Sequence, residues 1–465
     1  MKRKMKTDIN YNFNTKIIKH NNDLPIYFYN NNTDINTDSW FDIKTNNTII
    51  EKPNIKVNNK FKKEEIIECQ KVKMLLNSEQ KEIINKWFYS YTCMYNETLK
   101  YIKNNYKLTK NDITRSILVE ELNKLKSENK ESFDNFYYLR NQLKTIRDII
   151  KNNTQISSIN RDTKMQTHNL DYAIRQLCSN IKSAKSNLLK GNINRFRLKY
   201  WRHNRCSKTI EIEKCYILQN KICPKILGNI KYIYNGKDYT LNNINSNIKI
   251  NYNSITDEYT LLIPIKSETI IIPNKKSNLI SLDPGLRTFM TGISENKSVT
   301  IGSNVNYTIG NDIKRINKIK DNEKIPNKIK KKNEILINRK IRNKIDDLHW
   351  KSINYLVKNY NTILIGDMSA KRIVNKNKSY LSNIQKVACL RTKYYQFNQR
   401  LQNKCKKYNV NYKLVDESFT SKTCSCCAKY DDKLGSSKVY NCKFCLSSID
   451  RDINGARNIY IKNLL

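Results

Sequence analysis

The sequence has few acidic residues, no long apolar run and no export signal. Asp and Glu number 42 against 86 Lys and Arg, which gives a formal net charge of +44. The longest apolar runs fall well short of the roughly 18 residues of a membrane-spanning helix. The first residues, "MKRKMKTDINYNFNTK", carry charge but no apolar segment followed by small residues, so they do not resemble a secretory signal. We therefore expect an intracellular protein whose 13 cysteines are reduced thiols or metal ligands.

The shortage of acidic residues predicts a polyanionic partner. Codon bias in an AT-rich genome would account for the many Asn and Ile residues and for part of the Lys content. Codon bias would not explain why the acidic residues are only half as many as the basic residues. A positive excess of this size repels itself unless a partner neutralises it, and phosphates do so with release of counterions. The composition therefore favours a nucleic-acid partner.

The pattern along the chain predicts an α/β multidomain protein. Residues 1–65 are rich in Asn and poor in clustered apolar residues, which predicts a disordered or loosely held arm. Residues 66–78 and 206–275 contain short β-type runs broken by Asn and Gly, as in a small barrel or sandwich. Residues 79–205 are helical in pattern, and residues 276–465 combine strands with helices.

The helical region has a clear start and repeated apolar faces. Asn77 is followed three residues later by Gln80, which is the spacing of a capping box. Gly191 follows the last apolar stripe and predicts the end of that helix. Two stripes show helical spacing and predict core faces: Ile84, Trp87, Phe88, Tyr91 and Tyr95; and Leu170, Ile174, Leu177, Ile181, Ala184 and Leu188.

The C-terminal region predicts a mixed sheet of the ribonuclease H type. The run "NLISLD" ends in Asp283, "RTFMTGIS" is its return strand, and "SVTIG" is a third strand. After a Lys-rich helical stretch come the strands "TILIGD" and "YKLVDE", separated by a helix. Three meandering strands followed by alternating helices and parallel strands are typical of that fold.

Two cysteine pairs predict a structural zinc site. Cys424 and Cys427 are separated by two residues, as are Cys442 and Cys445, and no His lies near them. Four thiolates close a tetrahedral shell around Zn²⁺, whereas a catalytic zinc keeps an open position. We predict a zinc knuckle at about 418–449. Cys426 is expected to be a spectator, although a shifted register that uses it is the alternative.

Acidic residues at predicted strand and helix ends suggest a second, different metal site. Asp283 ends one strand, Asp416 and Glu417 end another, and Asp450 and Asp452 begin the last helix. Because sites in parallel α/β sheets form at the carboxyl ends of strands, these acids can converge. Clustered carboxylates select Mg²⁺ or Mn²⁺ over zinc. A turn acid at Asp283 and a helix cap in "DRD" are the alternative interpretations.

A basic and aromatic segment is a candidate nucleic-acid interface. In "RFRLKYWRHNRCSK", cationic side chains alternate with aromatic rings. This alternation suits phosphate contact combined with base stacking, and a solvated charged face is the alternative. The candidate contact residues are Arg195, Arg197, Lys199, Tyr200, Trp201, Arg202 and Arg205.

From about residue 72 to its end, the sequence resembles the TnpB transposon-encoded proteins and their eukaryotic and giant-virus relatives, the Fanzor proteins. The motifs "LDPGLRTFMTG", "ESFTSKTCSCC" with "CKFC", and "DRDINGARNI" carry the resemblance. It implies an RNA-guided DNA endonuclease with a RuvC-like nuclease domain at 276–465. It also implies a helical recognition lobe at 79–205, a wedge-type barrel from 66–78 and 206–275, a guide RNA from the element's own end, and a double-stranded DNA target.

The resemblance includes one departure in the expected active site. Most family members have a glutamate where this chain has Gly366, and some relatives supply one just before the "TSKTC" stretch, where Glu417 stands. We therefore expect Asp283, Glu417 and Asp452 to bind two catalytic Mg²⁺ ions. Asp367 is the rival substitute, and Asp450 is expected to act as a helix cap. A non-cleaving nucleic-acid-binding relative, or a protein accessory to transposition, is the alternative function.

Overall fold

The computed structural model forms two compact units. One lies within residues 1–66 and 267–465, and the other comprises 67–266. Among the described helices, none is both long and apolar enough to cross a membrane. The residues that the structure describes are 26–28, 33–35, 40–50, 66–106, 112–129, 131–242, 244–273, 277–295, 297–374, 381–432 and 437–463.

Part of the N-terminal segment is strand rather than loose arm. It forms β1 (Ile26–Phe28), β2 (Thr33–Ile35) and β3 (Ile43–Ile50), and β3 pairs antiparallel with the strand Lys297–Ser303. Burial alternates from Phe41 to Asn46, which is the period of a strand with one face on a core. The expectation of a disordered arm is therefore wrong for residues 40–50, since Asn-rich composition masked this alternation. Residues 26–28 and 33–35 are likewise strand, and the remainder of residues 1–65 lies outside the described residues.

The unit at 67–266 combines a helical bundle with a sheet. Its helices are α1 (Ser78–Asn105), α2 (Arg115–Ser127), α3 (Phe136–Gln142), α4 (Lys144–Asn152), α5 (Thr167–Leu189) and α6 (Pro224–Leu227). Its strands are β4 (Ile66–Leu75), β5 (Ser207–Ile212), β6 (Ile217–Leu218), β7 (Lys221–Ile222), β8 (Lys231–Tyr234), β9 (Lys237–Tyr239), β10 (Ile248–Asn253) and β11 (Glu258–Ser267).

The predicted small barrel is an open sheet. Its strand order is β5-β10-β11-β4-β8-β9, and the two edge strands do not pair with each other within the part of the chain that the structure describes. The sheet instead shares one hydrophobic core with the helices, from Val72 through Trp87 and Leu177 to Ile263. Helix packing therefore covers the apolar face that closure of a barrel would otherwise bury.

The predicted start of α1 is confirmed. The Asn77 side chain accepts a hydrogen bond from the Gln80 amide at 2.8 Å, and the Gln80 side chain accepts one from the Asn77 amide at 3.0 Å. The Gln80 side-chain amide also donates to the carbonyls of Leu227 and Asn229. This capping box thus ties the beginning of α1 to the loop before β8. At the end of α5, Gly191 adopts a positive φ of 75° just beyond the cap residue, as a helix stop requires.

The second unit contains the mixed sheet. Its strands are β12 (Ser277–Pro284), β13 (Thr288–Ser294), β14 (Lys297–Ser303), β15 (Tyr360–Gly366), β16 (Asn411–Val415), β17 (Val439–Asn441) and β18 (Ser448–Asp450). Its helices are α7 (Val305–Asp321), α8 (Asn327–Asn359), α9 (Ala370–Ile373), α10 (Asn383–Thr392), α11 (Tyr394–Lys407) and α12 (Arg451–Lys462).

The strands of this sheet lie in the order β1-β3-β14-β13-β12-β15-β16, and β2 also pairs with β3. The first connections are antiparallel, and β12, β15 and β16 run parallel. One face packs on α12 through Leu279, Leu364 and Ile459. The other face forms the larger core with helices α7, α8, α10 and α11. Because both faces of the sheet are buried, the sequences of β12 and β15 are mostly apolar instead of alternating between apolar and polar residues.

Candidate active site and four-cysteine centre

Three acidic side chains from separate segments lie near enough to interact electrostatically at the carboxyl edge of the sheet, although their oxygen atoms do not all come within 4.8 Å of one another as the sulfur atoms of the four cysteines do. Asp283 lies at the end of β12, Glu417 follows β16 by two residues, and Asp452 lies in the first turn of α12. The pKa of Asp283 is raised well above its ordinary value, mainly by burial and then by the negative charges of Glu417 and Asp452. Parallel strands place their ends at one edge, and α12, which packs on one face of the sheet, presents Asp452 from its first turn, so the topology itself assembles this cluster.

Asp283 is held by a tight turn. The backbone amide of Gly285 donates to the carbonyl of Phe289, and the Tyr394 hydroxyl donates to the carbonyl of Gly285. The Tyr394 ring also stacks on Phe289, with centroids 5.2 Å apart. The turn that follows Asp283 is therefore anchored from helix α11, so the carboxylate has a defined position.

The two aspartates of "DRD" have different surroundings. Asp450 caps α12, since one of its carboxylate oxygens accepts from the amides of Asp452 at 2.9 Å and Ile453 at 3.3 Å. The pKa of Asp452 is raised, first by burial and then by the charge of Asp450, against the opposing effect of Arg287 and other cations. Asp450 is thus occupied as a cap, whereas the Asp452 carboxylate contributes to the cluster.

Asp416 and Asp367 lie away from the cluster. The Asp416 carboxylate accepts from the Ser418 hydroxyl at 2.6 Å and pairs with Lys462 at 2.9 Å, and these two partners lower its pKa to about 2. Asp367 is exposed, and its negative charge helps to raise the pKa of Tyr412, which packs on the opposite face of the sheet. Consecutive residues at a strand end point to opposite faces, so Asp367 follows Gly366 but does not share its side.

Two glycines make room for the carboxylates. A Cβ atom at Gly366 would lie 2.9 Å from Oε2 of Glu417, and a Cβ atom at Gly455 would overlap Oδ2 of Asp283. Neither glycine has a positive φ, so neither is required by backbone conformation. The Glu417 carboxylate therefore fills the space in front of the residue where the usual strand-end glutamate is missing. The sequence motif contained Gly455, but its spacing carried no signal for this role.

A cleft of about 900 Å³ opens beside Asp452. Cationic side chains line it, namely Arg287, Lys314 and Lys438, together with the largely exposed ring of Tyr307. Sequence reasoning missed these residues because they come from β12–β13, α7 and the cysteine region, which only the fold brings together. The cleft can receive an anionic strand and lead it to the acid cluster.

The four predicted cysteines form one group. Their sulfur atoms all lie within 4.8 Å of one another, with Cys424 to Cys445 at 3.7 Å and Cys427 to Cys442 at 3.6 Å. Tetrahedral zinc with bonds of about 2.3 Å would separate sulfur atoms by about 3.8 Å, so the group fits this ion. Cys426 is outside the group, and its sulfur accepts from the Arg457 guanidinium at 3.5 Å.

Helix α12 holds the cysteine region by side-chain amides. The Asn454 side chain accepts from the Ser425 amide at 2.9 Å and donates to the Thr423 carbonyl at 2.8 Å. The Asn458 side chain donates to the carbonyls of Thr420 and Thr423. The helix that carries Asp452 thus also fixes the cysteine region, which links the metal centre to the acid cluster.

Replacing Cys424 and Cys442 together by Ser is expected to release zinc, because two remaining thiolates cannot close its shell. The full-length protein should contain about one zinc per chain, measured by elemental analysis, and the double variant should contain almost none. Limited proteolysis should then cut the C-terminal third more readily. Cys426→Ser is the matched control and should keep its zinc. Full zinc retention in the double variant would show that these cysteines do not hold the metal.

The basic and aromatic segment is partly engaged within the protein. Arg195 and Arg197 both pair with Asp112, whose pKa they lower. Trp201 stacks on Tyr95 with ring centroids 3.7 Å apart, and the Arg205 guanidinium lies 3.8 Å from the same ring centroid. Because two planar groups cannot share one face at that distance, both faces of Trp201 are covered.

Base stacking by Trp201 is therefore not available in this conformation, contrary to the sequence prediction. Tyr200 is about half exposed, with Lys103 over its ring at 4.3 Å, and Lys199 and Arg202 are exposed. Together with Arg195 and Arg197, whose side chains stay more than half exposed in their ion pairs, these three side chains are the accessible part of the predicted interface. Sequence alternation did not reveal Asp112 or Tyr95 as partners because both are more than eighty residues away in the chain.

The fold and the site define an α/β multidomain protein with an acid cluster at strand ends and a cysteine group suited to zinc. Residues 394–459 match the family model of the Cas12f1-like TNB domain. The chain is 31% identical over 457 residues to the TnpB-like protein R854 of Acanthamoeba polyphaga mimivirus, covering 92% of this chain and 82% of that protein. It is 32% identical to TnpB-like protein L770 of the same virus, covering 84% and 72%. The chain belongs to the TnpB-like protein family, as its motifs predict.

Similarity to solved structures is weaker. The chain aligns with the Cas12f1 protein of a Cas12f1–sgRNA–target DNA complex over 85% of its length and 98% of that chain, with 15% identity and a TM-score of 0.31. It aligns with the mini-RNA-guided endonuclease CRISPR-Cas phi3 over 86% and 93%, with 9% identity and a TM-score of 0.41. The family assignment therefore rests on the sequence relatives.

Proposed function

We propose that the protein is a metal-dependent DNA endonuclease directed by a guide RNA. The observation that carries this proposal is the convergence of Asp283, Glu417 and Asp452 at one sheet edge, with a raised pKa at Asp283. Arg451 opposes the rise in the pKa of both aspartates, and Arg287 and Lys438 oppose that of Asp452, yet both pKa values stay raised, so repulsion between the carboxylates remains. A divalent cation removes that repulsion, and oxygen ligands of this kind suit Mg²⁺ or Mn²⁺.

The three acids would hold the catalytic ions. When bound, two such ions supply an activated water and stabilise the leaving oxygen of a phosphodiester. The chain's own contribution is to keep the carboxylates in place: Tyr394 anchors the turn after Asp283, Asp450 caps the helix that presents Asp452, and Gly366 leaves space for Glu417. Asp283 must lose its proton to bind a cation, so metal binding opposes the effect of burial on its pKa.

The arrangement of the sheet supports a RuvC-like nuclease domain at 276–465. Its strands run in the order β14-β13-β12-β15-β16, with an antiparallel meander followed by parallel strands, as in the ribonuclease H type. The acids lie at the ends of the first strand of the meander and the last parallel strand, and on the final helix. The four-cysteine knuckle is inserted between the two latter acids, Glu417 and Asp452.

The net charge of the chain and its membership of the TnpB-like family support RNA and DNA as partners. The net charge of +44 favours a polyanionic partner, and the cleft beside Asp452 is lined by the cations Arg287, Lys314 and Lys438. Guided effectors leave sequence recognition to base pairing and read only a short adjacent motif through protein. By analogy with its family, the helices at 79–205 would bind the guide, and the open sheet from 66–78 and 206–275 would take the place of the wedge.

A non-cleaving binding protein is the competing function, because Gly366 replaces the usual glutamate. The position of Glu417 argues against it. Its Oε2 lies 2.9 Å from the position that a Cβ atom of residue 366 would take, next to Pro284 and Ile459. A carboxylate is therefore present in this region despite the substitution, although it comes from another strand.

The function is tested by purifying the full chain together with the RNA that it retains. Sequencing that RNA should identify a guide, and a matched DNA duplex with randomised flanks should be cut in Mg²⁺ but not after chelation. Binding of the matched duplex without any cleavage in Mg²⁺ or Mn²⁺ would favour the non-cleaving function. Absence of a defined RNA would refute RNA guidance.

A further inference from the structure

Helix α8 carries a dense cationic face that the acid cluster and the cleft do not use. Between Asn327 and Lys344 the helix has a single acidic residue, Glu334, and Lys320 binds it at 2.7 Å. Six basic side chains of this half of α8 are exposed, and none of them forms an ion pair with any residue that the structure describes: Lys328, Lys331, Lys332, Arg339, Lys340 and Arg342. Their charges are therefore available to a partner.

Four of these cations form one continuous stripe. Lys328, Lys332, Arg339 and Arg342 continue the alternating four- and three-residue steps of a helix face, with Ile335 as the middle step. The opposite face packs into the core through the buried Ile337, Ile341 and Ile345. Fourteen residues of helix span about 21 Å, so the stripe is a straight row of charge held on a rigid element.

The composition of this segment indicates which nucleic acid it fits. No aromatic residue occurs between 308 and 348. The ring of Trp40 lies beside Arg339 and Lys340, but Lys344 lies 5.4 Å from its centroid and its N–H donates to the Lys344 carbonyl. The stripe itself therefore carries none of the rings that single-strand-binding surfaces commonly use for stacking. A duplex carries one phosphate charge per roughly 1.7 Å of its axis, so about a dozen phosphates lie along the length of the stripe. Cations held on a rigid helix match the regular backbone of a duplex better than they match the variable backbone of a flexible single strand.

We propose that the stripe formed by Lys328, Lys332, Arg339 and Arg342 is a docking surface for the phosphate backbone of a double-helical nucleic acid. The contact is independent of base sequence, because it reaches phosphates and not base edges. This inference rests on the nucleic-acid partner of the proposed function but not on cleavage.

The test replaces all four stripe residues by Gln in the full chain. Binding of a 20-base-pair DNA duplex of arbitrary sequence is measured by fluorescence anisotropy over a range of salt concentrations, without divalent ions. Each lost phosphate contact should reduce the salt slope by about 0.9, so the slope should fall by about 3 to 4, and affinity at low salt should fall on the order of tenfold or more. The affinity for a single strand of the same length should fall less.

The matched control neutralises four exposed lysines of the same unit that lie outside the stripe, Lys358, Lys393, Lys413 and Lys429. It removes the same total charge and should change the slope much less. Equal losses in both variants would overturn the proposal in favour of a general charge effect, as would a larger loss for the single strand. Because divalent ions are absent, the result does not depend on whether the acid cluster cleaves. Circular dichroism melting checks that both variants fold.

Discussion

Glu417→Gln is expected to abolish Mg²⁺-dependent cleavage of a guide-matched duplex, by a factor of at least about a thousand. The substitution keeps the shape of the side chain but removes the charge that a divalent ion needs, and it leaves Asp283 and Asp452 as the only charged members of the cluster. Retained RNA and target binding should be unchanged, since the phosphate-binding cations are not altered. The rate of cleavage under single-turnover conditions is the measurement.

Asp367→Asn is the matched control for this prediction. Asp367 stands next to Gly366 in the chain, but it is exposed and acts on Tyr412 of the other face. Its variant should cleave within about twofold of the unaltered protein, in the range of ordinary surface substitutions. An inactive Asp367 variant together with an active Glu417 variant would show that Glu417 is not the replacement for the missing strand-end glutamate.

Gly455→Ala is expected to reduce cleavage on the order of a hundredfold without destabilising the protein. The added Cβ atom would overlap Oδ2 of Asp283, and helix α12 cannot retreat because Ala456, Ile459 and Tyr460 are packed in the core. The carboxylate must therefore move and the affinity for Mg²⁺ must fall. In a helix interior Ala is favoured over Gly by about 1 kcal/mol, which offsets part of the strain. Activity against Mg²⁺ concentration and the melting temperature are measured together.

Two further variants separate positioning from general damage. Gly310→Ala makes the same change inside α7, where the nearest atom to the new methyl group is 3.5 Å away, so cleavage should be retained. Gly366→Ala would place its Cβ atom 2.9 Å from Oε2 of Glu417, 3.2 Å from Pro284 and 3.3 Å from Ile459. It should raise the Mg²⁺ requirement more mildly, because the closest of these atoms is the end of a flexible side chain. Its additional effect should be smaller when Glu417 is already shortened to Asp. If Gly455→Ala cleaves normally at low Mg²⁺, Gly455 does not position Asp283.

Several features of the fold and the site could be predicted from short stretches of sequence. The capping box of Asn77 and Gln80, the helix stop at Gly191 and the two cysteine pairs all depend on residues a few positions apart. The antiparallel meander of β12, β13 and β14 also followed from the succession of apolar runs and turns, since consecutive strands often pair side by side. The acids at strand ends could be named as candidates for the same reason.

Other features could not be predicted because they depend on distant partners. The strand β3 forms only where β14 offers an unpaired edge, more than 250 residues further along. The six-stranded sheet stays open because α1 and α5 cover it. Trp201 was predicted to stack on bases, but Tyr95 and Arg205 cover both of its faces. In each case the local sequence pattern was compatible with two structures, and contacts with distant residues determined which one formed.

The sequence by itself determined the family, the four cysteines and the short list of acids, because local spacing is set by the constant geometry of helices, strands and metal shells. Only the tertiary structure decided which acids meet. Glu417 is near Asp283, whereas Asp416 forms an ion pair with Lys462, and Asp367 lies near Tyr412 on the other face of the sheet. The physical reason is space as well as charge. The Glu417 carboxylate lies against the backbone of Gly366, and the Asp283 carboxylate lies against the backbone of Gly455, and these two glycines are distant in sequence.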